Sequence, residues 1–549
     1  MFSVLTTFYT HNFLRYVARN RGAKLVIMAG FFSVLAFLIF LTYESFYYGF
    51  RYIAHDEFFR QALTLYIIEL FLLVSFILVF ASALLSGVTQ LFRTGNNAFV
   101  MASPRYDLKP TFVLTRMITT SLWPLLVIIL PALFALRHVF GLPLSGFLAA
   151  LCSSVLLVVF GVLCAMLLIF IIGALLKLLG VFSRKHLVQM TLLAFAYLVG
   201  YTVSQFRGVD LVKFFQARLL DVSAPDLAPI LLQFHHFPSH LTALSLYHGM
   251  YGGGAALYMP LVMLGGITFV TYICYRIFRR THLYLWQKSE EKNNTGSDFL
   301  TALSHNMIRR AKGAKSAILN KEAVLFMRDA RGMLWLGFIL LIWVIQIASS
   351  HLLVNGLNSE RIATGEALSI AGLIQFATII YFIALFVLRF AFPAFSMERK
   401  TSWIVRMSPV DMREVFAAKL GFYVTLFGAI ALIFSLGSAT SVGLALPLGM
   451  PLVIGVVIAT FFLTTLGLAL GAKYPNQETD DPEQLSTSMP GIGFILAALM
   501  YGLIGAYTLS YFAASGNVAF YTLFVFVSVL STLLFVKVAR SALVSTAMI

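Results

Sequence analysis

The sequence predicts an all-α polytopic membrane protein, with about twelve transmembrane helices in two parallel six-helix repeats. Three observations predict it. Of 549 residues, 60% are hydrophobic and only 11% charged, where soluble domains average roughly half and a quarter. Apolar stretches of about 20 residues recur along the chain, each long enough at 1.5 Å per residue to cross roughly 30 Å of hydrocarbon. Finally, two polar loops repeat one another at matching places in the two halves.

In chain order the spans are expected at 25–46, 62–88, 112–136, 144–172, 190–206, 253–276, 333–352, 369–392, 418–437, 450–471, 489–510 and 515–537. The fifth is short. The apolar run from Leu144 to Leu179 is too long for one perpendicular span, so a tilt or an extension beyond the bilayer is expected. Pro124 and Pro131 should bend the third span. The apolar run from Leu25 exceeds signal-peptide length, so no cleavable leader is expected.

Lys and Arg total 39 against 22 Asp and Glu, a formal charge of +17. In a chain this apolar, the excess excludes a nucleic-acid binder and points to an anionic leaflet. With the N-terminus placed in the cytoplasm, 31 of the 39 basic residues fall on that side. Arg51, Arg60, Arg137, Arg207, Lys213, Arg218 and Arg361 fall outside, and Arg389 snorkels from the inner end of span eight. An even number of spans with both termini cytoplasmic follows. Cys152, Cys164 and Cys274 all lie in apolar segments, which indicates neither a disulfide framework nor a thiolate metal site.

After span two the chain reads LFRTGNNAFVMASPRYDLKPTFVLTRM, and after span eight FSMERKTSWIVRMSPVDMREVFAAKLG. Ser103-Pro104 falls opposite Ser408-Pro409, with Phe99 opposite Ile404. One gap later, Asp107, Leu108, Lys109 and Phe112 fall opposite Asp411, Met412, Arg413 and Phe416. FLRYVARNRG before the first span echoes AVLFMRDARG before the seventh. A six-plus-six duplication follows, and because six is even the two copies run parallel. The domains are then 1–278, a first unit with an external insertion at 207–250; 279–319, a polar cytoplasmic linker; and 320–549, the second unit. Trp403, Ile404 and Met407 give the second loop an apolar edge, Pro409 redirects the chain, and Asp411 is placed to cap the next helix. Such a protruding interfacial helix suits a groove on a soluble partner.

Glu69 is the one acidic residue well inside an apolar span, with Gln375 opposite it in the repeat. A carboxylate there needs a partner or a wet cavity, so it is either half of a structural pair or part of a substrate pathway. His236 and His240 have the four-residue spacing of a metal pair, but Pro238 between them is expected to interrupt a shared helix, and packing or a lid over the exit is the competing reading. Glu478, Asp480, Asp481 and Glu483 cluster without histidine and read as a solvated loop or partner contact. No G-x-x-x-x-G-K-[ST] motif occurs, so the chain has no P-loop with which to be an ATPase, and no acid, base and nucleophile converge.

KEAVLFMRDARG and MERKTSWIVRMSPVDMREVFAAKLG resemble the membrane subunits of ABC-2 type bacterial ABC exporters. The resemblance implies a connecting helix at 320–332, with its first-half counterpart at 10–24. It also implies coupling helices at 397–409 and 92–104 that dock a separate ATPase, probed by Phe99, Ser103, Pro104, Glu398, Trp403, Ile404, Arg406, Ser408 and Pro409. Where the second loop has the family's acidic-basic FSMERKTSW, the first has LFRTGNNAF, which implies asymmetric coupling. The implied protein is the permease of an ATP-driven exporter in a bacterial inner membrane. It is not an enzyme and has no cofactor of its own; ATP and Mg sit on two copies of the partner. Glu69 is the candidate pathway residue. The competing classes are a twelve-span secondary transporter, which would need more buried charges than Glu69, and a membrane-embedded lipid-processing enzyme, whose only foothold is the loop at 478–483.

Overall fold

The computed structural model describes residues 21–54, 60–92, 109–180, 184–205, 234–251, 255–291, 313–328, most of 332–347, 365–401 and most of 407–547. All regular structure among the described residues is helical. Nine helices there are long and apolar enough to cross a membrane, and they coincide with predicted spans two to four, six and eight to twelve. The 34-residue helix α1 (Arg21–Ala54) covers the first predicted span. The shorter apolar helices at 186–202 and 335–344 lie where spans five and seven are predicted.

The chain divides into two compact units. One comprises Ala36–Asp298 with Met333–Ile345. Its helices after α1 are α2 (Arg60–Phe92), α3 (Lys109–Thr120), α4 (Leu130–Phe140), α5 (Leu144–Leu178), α6 (Arg184–Gln205), α7 (Pro238–Tyr251), α8 (Ala255–Glu291) and, after the helix of the other unit that intervenes in the chain, the short Trp335–Val344. The central helix is α5, which packs on α2, α7 and α8. It runs unbroken for 35 residues, about 52 Å at 1.5 Å per residue, longer than a bilayer core is thick. Glycine lets its neighbours close in. A Cβ at Gly146 would lie 2.7 Å from the carbonyl oxygen of Gly249 on α7, and one at Gly161 would lie 3.2 Å from Val79 on α2. Ser153 and Ser245 hydrogen-bond across the α5–α7 crossing at 3.0 Å.

The expected break in span three is present. α3 ends at Thr120, Pro124 precedes a π-helical turn (Leu125–Ile129), and Pro131 lies in the first turn of α4. Proline donates no backbone hydrogen bond, so regular i→i−4 pairing fails at both positions and the wider π turn takes up the mismatch. Gly141 ends α4 at φ 66°, a left-handed conformation that glycine adopts without strain.

The other unit comprises residues 1–35, 299–332 and 346–549. Numbering the Trp335–Val344 helix of the first unit α10, the helices of this unit are α9 (Ala314–Arg328), α11 (Gly365–Phe386), α12 (Met412–Ser441), α13 (Leu446–Lys473), α14 (Met489–Ser515) and α15 (Ala519–Ala547). α13 is the most buried of the described spans and packs on α11, α12, α14 and α15. α11 passes into a π turn (Val387–Ala391), then 3₁₀ turns at Phe392–Ala394 and Ser396–Thr401. Gly467 and Gly471, one turn apart on α13, admit this irregular stretch: a Cβ at Gly467 would overlap Val387, and one at Gly471 would overlap the backbone carbonyl of Phe392. A carbonyl cannot rotate aside. Gly471→Ala is therefore expected to cost about 1–3 kcal/mol. Gly421→Ala, at a helical site with nothing within 4 Å, should be neutral or gain up to about 1 kcal/mol from helix propensity. Thermal midpoints of the two variants in matched detergent check the contrast.

Candidate functional site: a buried charge cluster behind the polar loop

Three segments meet at one end of the second unit. Asp411 caps α12, its Oδ1 accepting from the N–H of Arg413 at 2.9 Å, as its sequence position predicts. Two turns further on, Lys419 lies on the same face as Phe416, Tyr423 and Phe427 and is wholly buried. Its ammonium donates to Glu322 Oε1 of α9 at 2.6 Å and to the Ala394 carbonyl at 3.2 Å, and stands 3.0 Å from Glu398 Oε1. Three acceptors thus serve its three N–H bonds. The Ala394 carbonyl is available because the 3₁₀ turn ends there, leaving terminal carbonyls without helical partners. The Phe395 ring lies under the same ammonium, 5.2 Å to its centroid.

Lys321 completes the cluster from the rim, 40% exposed, donating to Glu398 Oε1 at 2.6 Å. Two acids and two lysines balance. The charges are therefore tolerated in a site that excludes water, though each depends on the others. Burial pushes the Glu398 carboxyl up, but Lys419 and Lys321 pull harder in the other direction and leave it below the usual carboxylate range. The sign follows: the Glu398 contribution is complete above the unfolded-chain value of about 4.3 and is lost as pH falls through the lower folded value. The wild-type thermal midpoint should accordingly fall below about pH 4 more steeply than that of Glu398→Gln, which has no such proton to take up.

An aromatic ladder backs the charges. Phe326 of α9 sits edge-on to Phe390 (5.1 Å) and Phe422 (5.9 Å), and Phe427 stacks on Phe386 at 5.9 Å. Ser396 accepts from the N–H of Asn476 at 3.1 Å, which ties the start of the loop to the end of α13. The segment carrying Glu398 is thereby fixed to α9, α12 and α13. Of the residues singled out from the sequence, Glu398 lies here with its carboxylate turned inward onto the lysines. Phe99, Ser103, Pro104, Trp403, Ile404, Arg406, Ser408 and Pro409 lie outside the described residues, as do the acidic loop at 478–483, most of the insertion, and residues 292–312 of the linker. The helix expected over 320–332 begins earlier, at Ala314, and is described as far as Arg328; residues 329–331 lie outside the described residues. Glu322 and Lys419 escaped the sequence reading, although both lie in the quoted segments. The available signal was a lysine two turns inside an apolar helix, in register with three buried aromatics.

A second polar pair lies in the other unit. His240 Nδ1 is 2.6 Å from Glu69 Oε1, and Glu69 is fully buried. The carboxylate thus has the partner that an apolar span demands. Glu69 Oε2, Tyr66 Oη and Ser239 Oγ are buried and without a hydrogen-bond partner among the described residues. As expected, Pro238 keeps His236 and His240 from sharing a helix: it begins α7, at the position where its missing N–H costs nothing, and His236 lies in the turn before it. The His236 ring meets that of His235 at a tilt of 44°, 3.5 Å between ring centroids, and no group of three metal-ligating side chains occurs among the described residues. Gln375, which the sequence comparison sets opposite Glu69, is also buried and accepts from Gln346 at 2.8 Å.

These features define a multi-pass, all-α membrane protein with a rigid charged junction at one end of its second unit. The model of the family described as "Putative ATP-binding cassette" matches residues 19–549, nearly the whole chain, and the chain belongs to that family. It is a membrane-embedded component of an ABC-2 type transporter. No curated protein and no solved structure matches it.

Proposed function

We propose that this chain is the permease subunit of an ATP-driven exporter, with two six-span units fused in one polypeptide of twelve spans. Both termini and the loops at 92–104 and 397–409 face the cytoplasm of a bacterial inner membrane, where two copies of a separate ATPase, carrying ATP and Mg, dock. Hydrolysis there alternates the exposure of a path through the membrane. The observation that carries this reading is the junction around Lys419. It ties together the three segments that bear the exporter likeness: the helix before span seven, the loop after span eight and the helix of span nine. A loop that is pushed by a partner transmits force only if its root is fixed to the helices that must move. By the repeat alignment the first half has His11, Asn12, Arg93 and Thr115 where the second has Lys321, Glu322, Glu398 and Lys419, which supports a coupling stronger in the second half.

The test is reconstitution. The purified chain, free of contaminating ATPases, is expected to hydrolyse no ATP, and to support hydrolysis only when a separate P-loop subunit co-purifies with it. ATP turnover by the chain alone would refute the reading.

A further inference from the structure

The Glu69 carboxylate is half satisfied. Its Oε1 lies 2.6 Å from His240 Nδ1, while its Oε2, Tyr66 Oη and Ser239 Oγ are buried and bond neither to one another nor to any other group among the described residues. The three atoms belong to one spot. Tyr66 and Glu69 are three apart on α2 and so share a face, and the Tyr66 hydroxyl feels the Glu69 charge. Ser239 directly precedes His240 in the first turn of α7, and the Tyr66 ring meets that of Phe234, in the turn before α7, at 5.8 Å. The adjoining backbone does not supply the missing donor. The amides of Phe237 and His240 are taken by the carbonyls of Phe234 and Phe237, each at 3.0 Å, and Pro238 has no N–H. Tyr66, Glu69 and Ser239 are 3%, 0% and 1% exposed, so bulk solvent does not reach them either. A carboxylate oxygen and two hydroxyls left bare in such a place are expensive.

We infer that one internal water molecule is held between α2 and the first turn of α7, accepting from the Tyr66 and Ser239 hydroxyls and donating to Glu69 Oε2. Three bonds are the usual number for a buried water. Valence and size select it. A divalent cation of the calcium or magnesium kind takes six or more oxygens, where this spot offers three, and an imidazole already lies against the carboxylate. An organic molecule finds no opening among side chains this buried. Glu69 then has Oε1 on His240 and Oε2 on the water. It fastens α7 to α2 and keeps no acceptor for a passing substrate. The site is independent of ATP coupling and of the direction of transport.

Thermal midpoints of the full chain in matched detergent give the first test. Tyr66→Phe and Ser239→Ala each delete one oxygen and keep the packing. With the water in place each is expected to lower the midpoint by about 2–4 °C, and the double variant to lose less than the sum, because the two hydroxyls act through one shared molecule. Without the water, each substitution removes an unpaired buried group, and the midpoint should rise or stay, additively. Radiolytic hydroxyl-radical labelling gives a second, direct readout on the unmodified protein, since a buried ring is oxidised where water is held against it. Tyr66 is expected to label severalfold more than Tyr521, which is also buried but whose hydroxyl is bonded to the Pro451 carbonyl. Ser239→Ala should bring Tyr66 down to the level of Tyr521. Midpoints that rise or hold in both single variants, strict additivity, or Tyr66 labelling no higher than Tyr521 would overturn the inference. So would a wild-type midpoint that falls when choline replaces sodium and a Tyr66→Phe midpoint that does not, which would put a sodium ion where the water is assigned.

Discussion

Lys419→Met is expected to lower the stability of the second unit by about 3–5 kcal/mol, because it leaves Glu322 and Glu398 buried with their central cation removed. Methionine fills nearly the same volume, so the loss is electrostatic and not a cavity effect. Lys321 is no substitute. It stands 3.8 Å from Glu322 and is 40% exposed, so it compensates Glu398 and leaves Glu322 uncovered. The companion variants separate this account from simple misfolding. Glu322→Gln in the Lys419→Met background should recover a large part of the loss, and adding Glu398→Gln should bring the protein near wild type, since a neutral site lacks the buried charge that carries the penalty. Thermal midpoints of the single, double and triple variants, arranged as a mutant cycle, give the coupling directly. Strict additivity would show that the three groups do not act as a unit.

The same cluster marks where sequence reading stopped. Helices α2, α5, α11 and α13 were legible because an apolar run of membrane length has few alternatives when every backbone group must be bonded within its own segment. Asp411 as a cap, and Pro124 and Pro131 as a break, were legible because each acts on neighbours within a turn. The pairing of Glu322 with Lys419 spans 97 residues, and that of Glu69 with His240 spans 171. No local pattern encodes such separations, and in a positive-inside count Lys419 looks like any other inner-side charge. Pro238, by contrast, acts locally and was legible: it begins α7 and leaves His236 outside the helix that carries His240. The irregular π and 3₁₀ turns that end α11 were equally hidden, since they depend on Gly467 and Gly471 of a different helix making room.

Replacing both Trp403 and Ile404 with Asp is expected to weaken association with the proposed ATPase partner by roughly a hundredfold or more, a few kcal/mol, by removing an apolar contact and placing charges where a partner must desolvate them. The asymmetry of the halves gives the comparison. In the first loop the polar Asn96-Asn97 stretch has little apolar surface to lose, so Asn96→Asp with Asn97→Asp should have a much smaller effect. The position of Glu398 sharpens the prediction. Its carboxylate is spent on Lys321 and Lys419 inside the junction, so Glu398→Gln should reduce stability and the efficiency with which hydrolysis drives transport while changing partner affinity less than the Trp403/Ile404 pair does. Binding isotherms with monodisperse variants of matched thermal stability decide the matter. If both loops merely lie among lipid headgroups, the partner will be indifferent to Trp403 and Ile404 and only insertion or stability will change. Equal losses from the two loop variants would keep docking but reject the asymmetry. Loss of affinity in Glu398→Gln as large as in the loop variant would mean that the junction sets the loop's shape as well as anchoring its root.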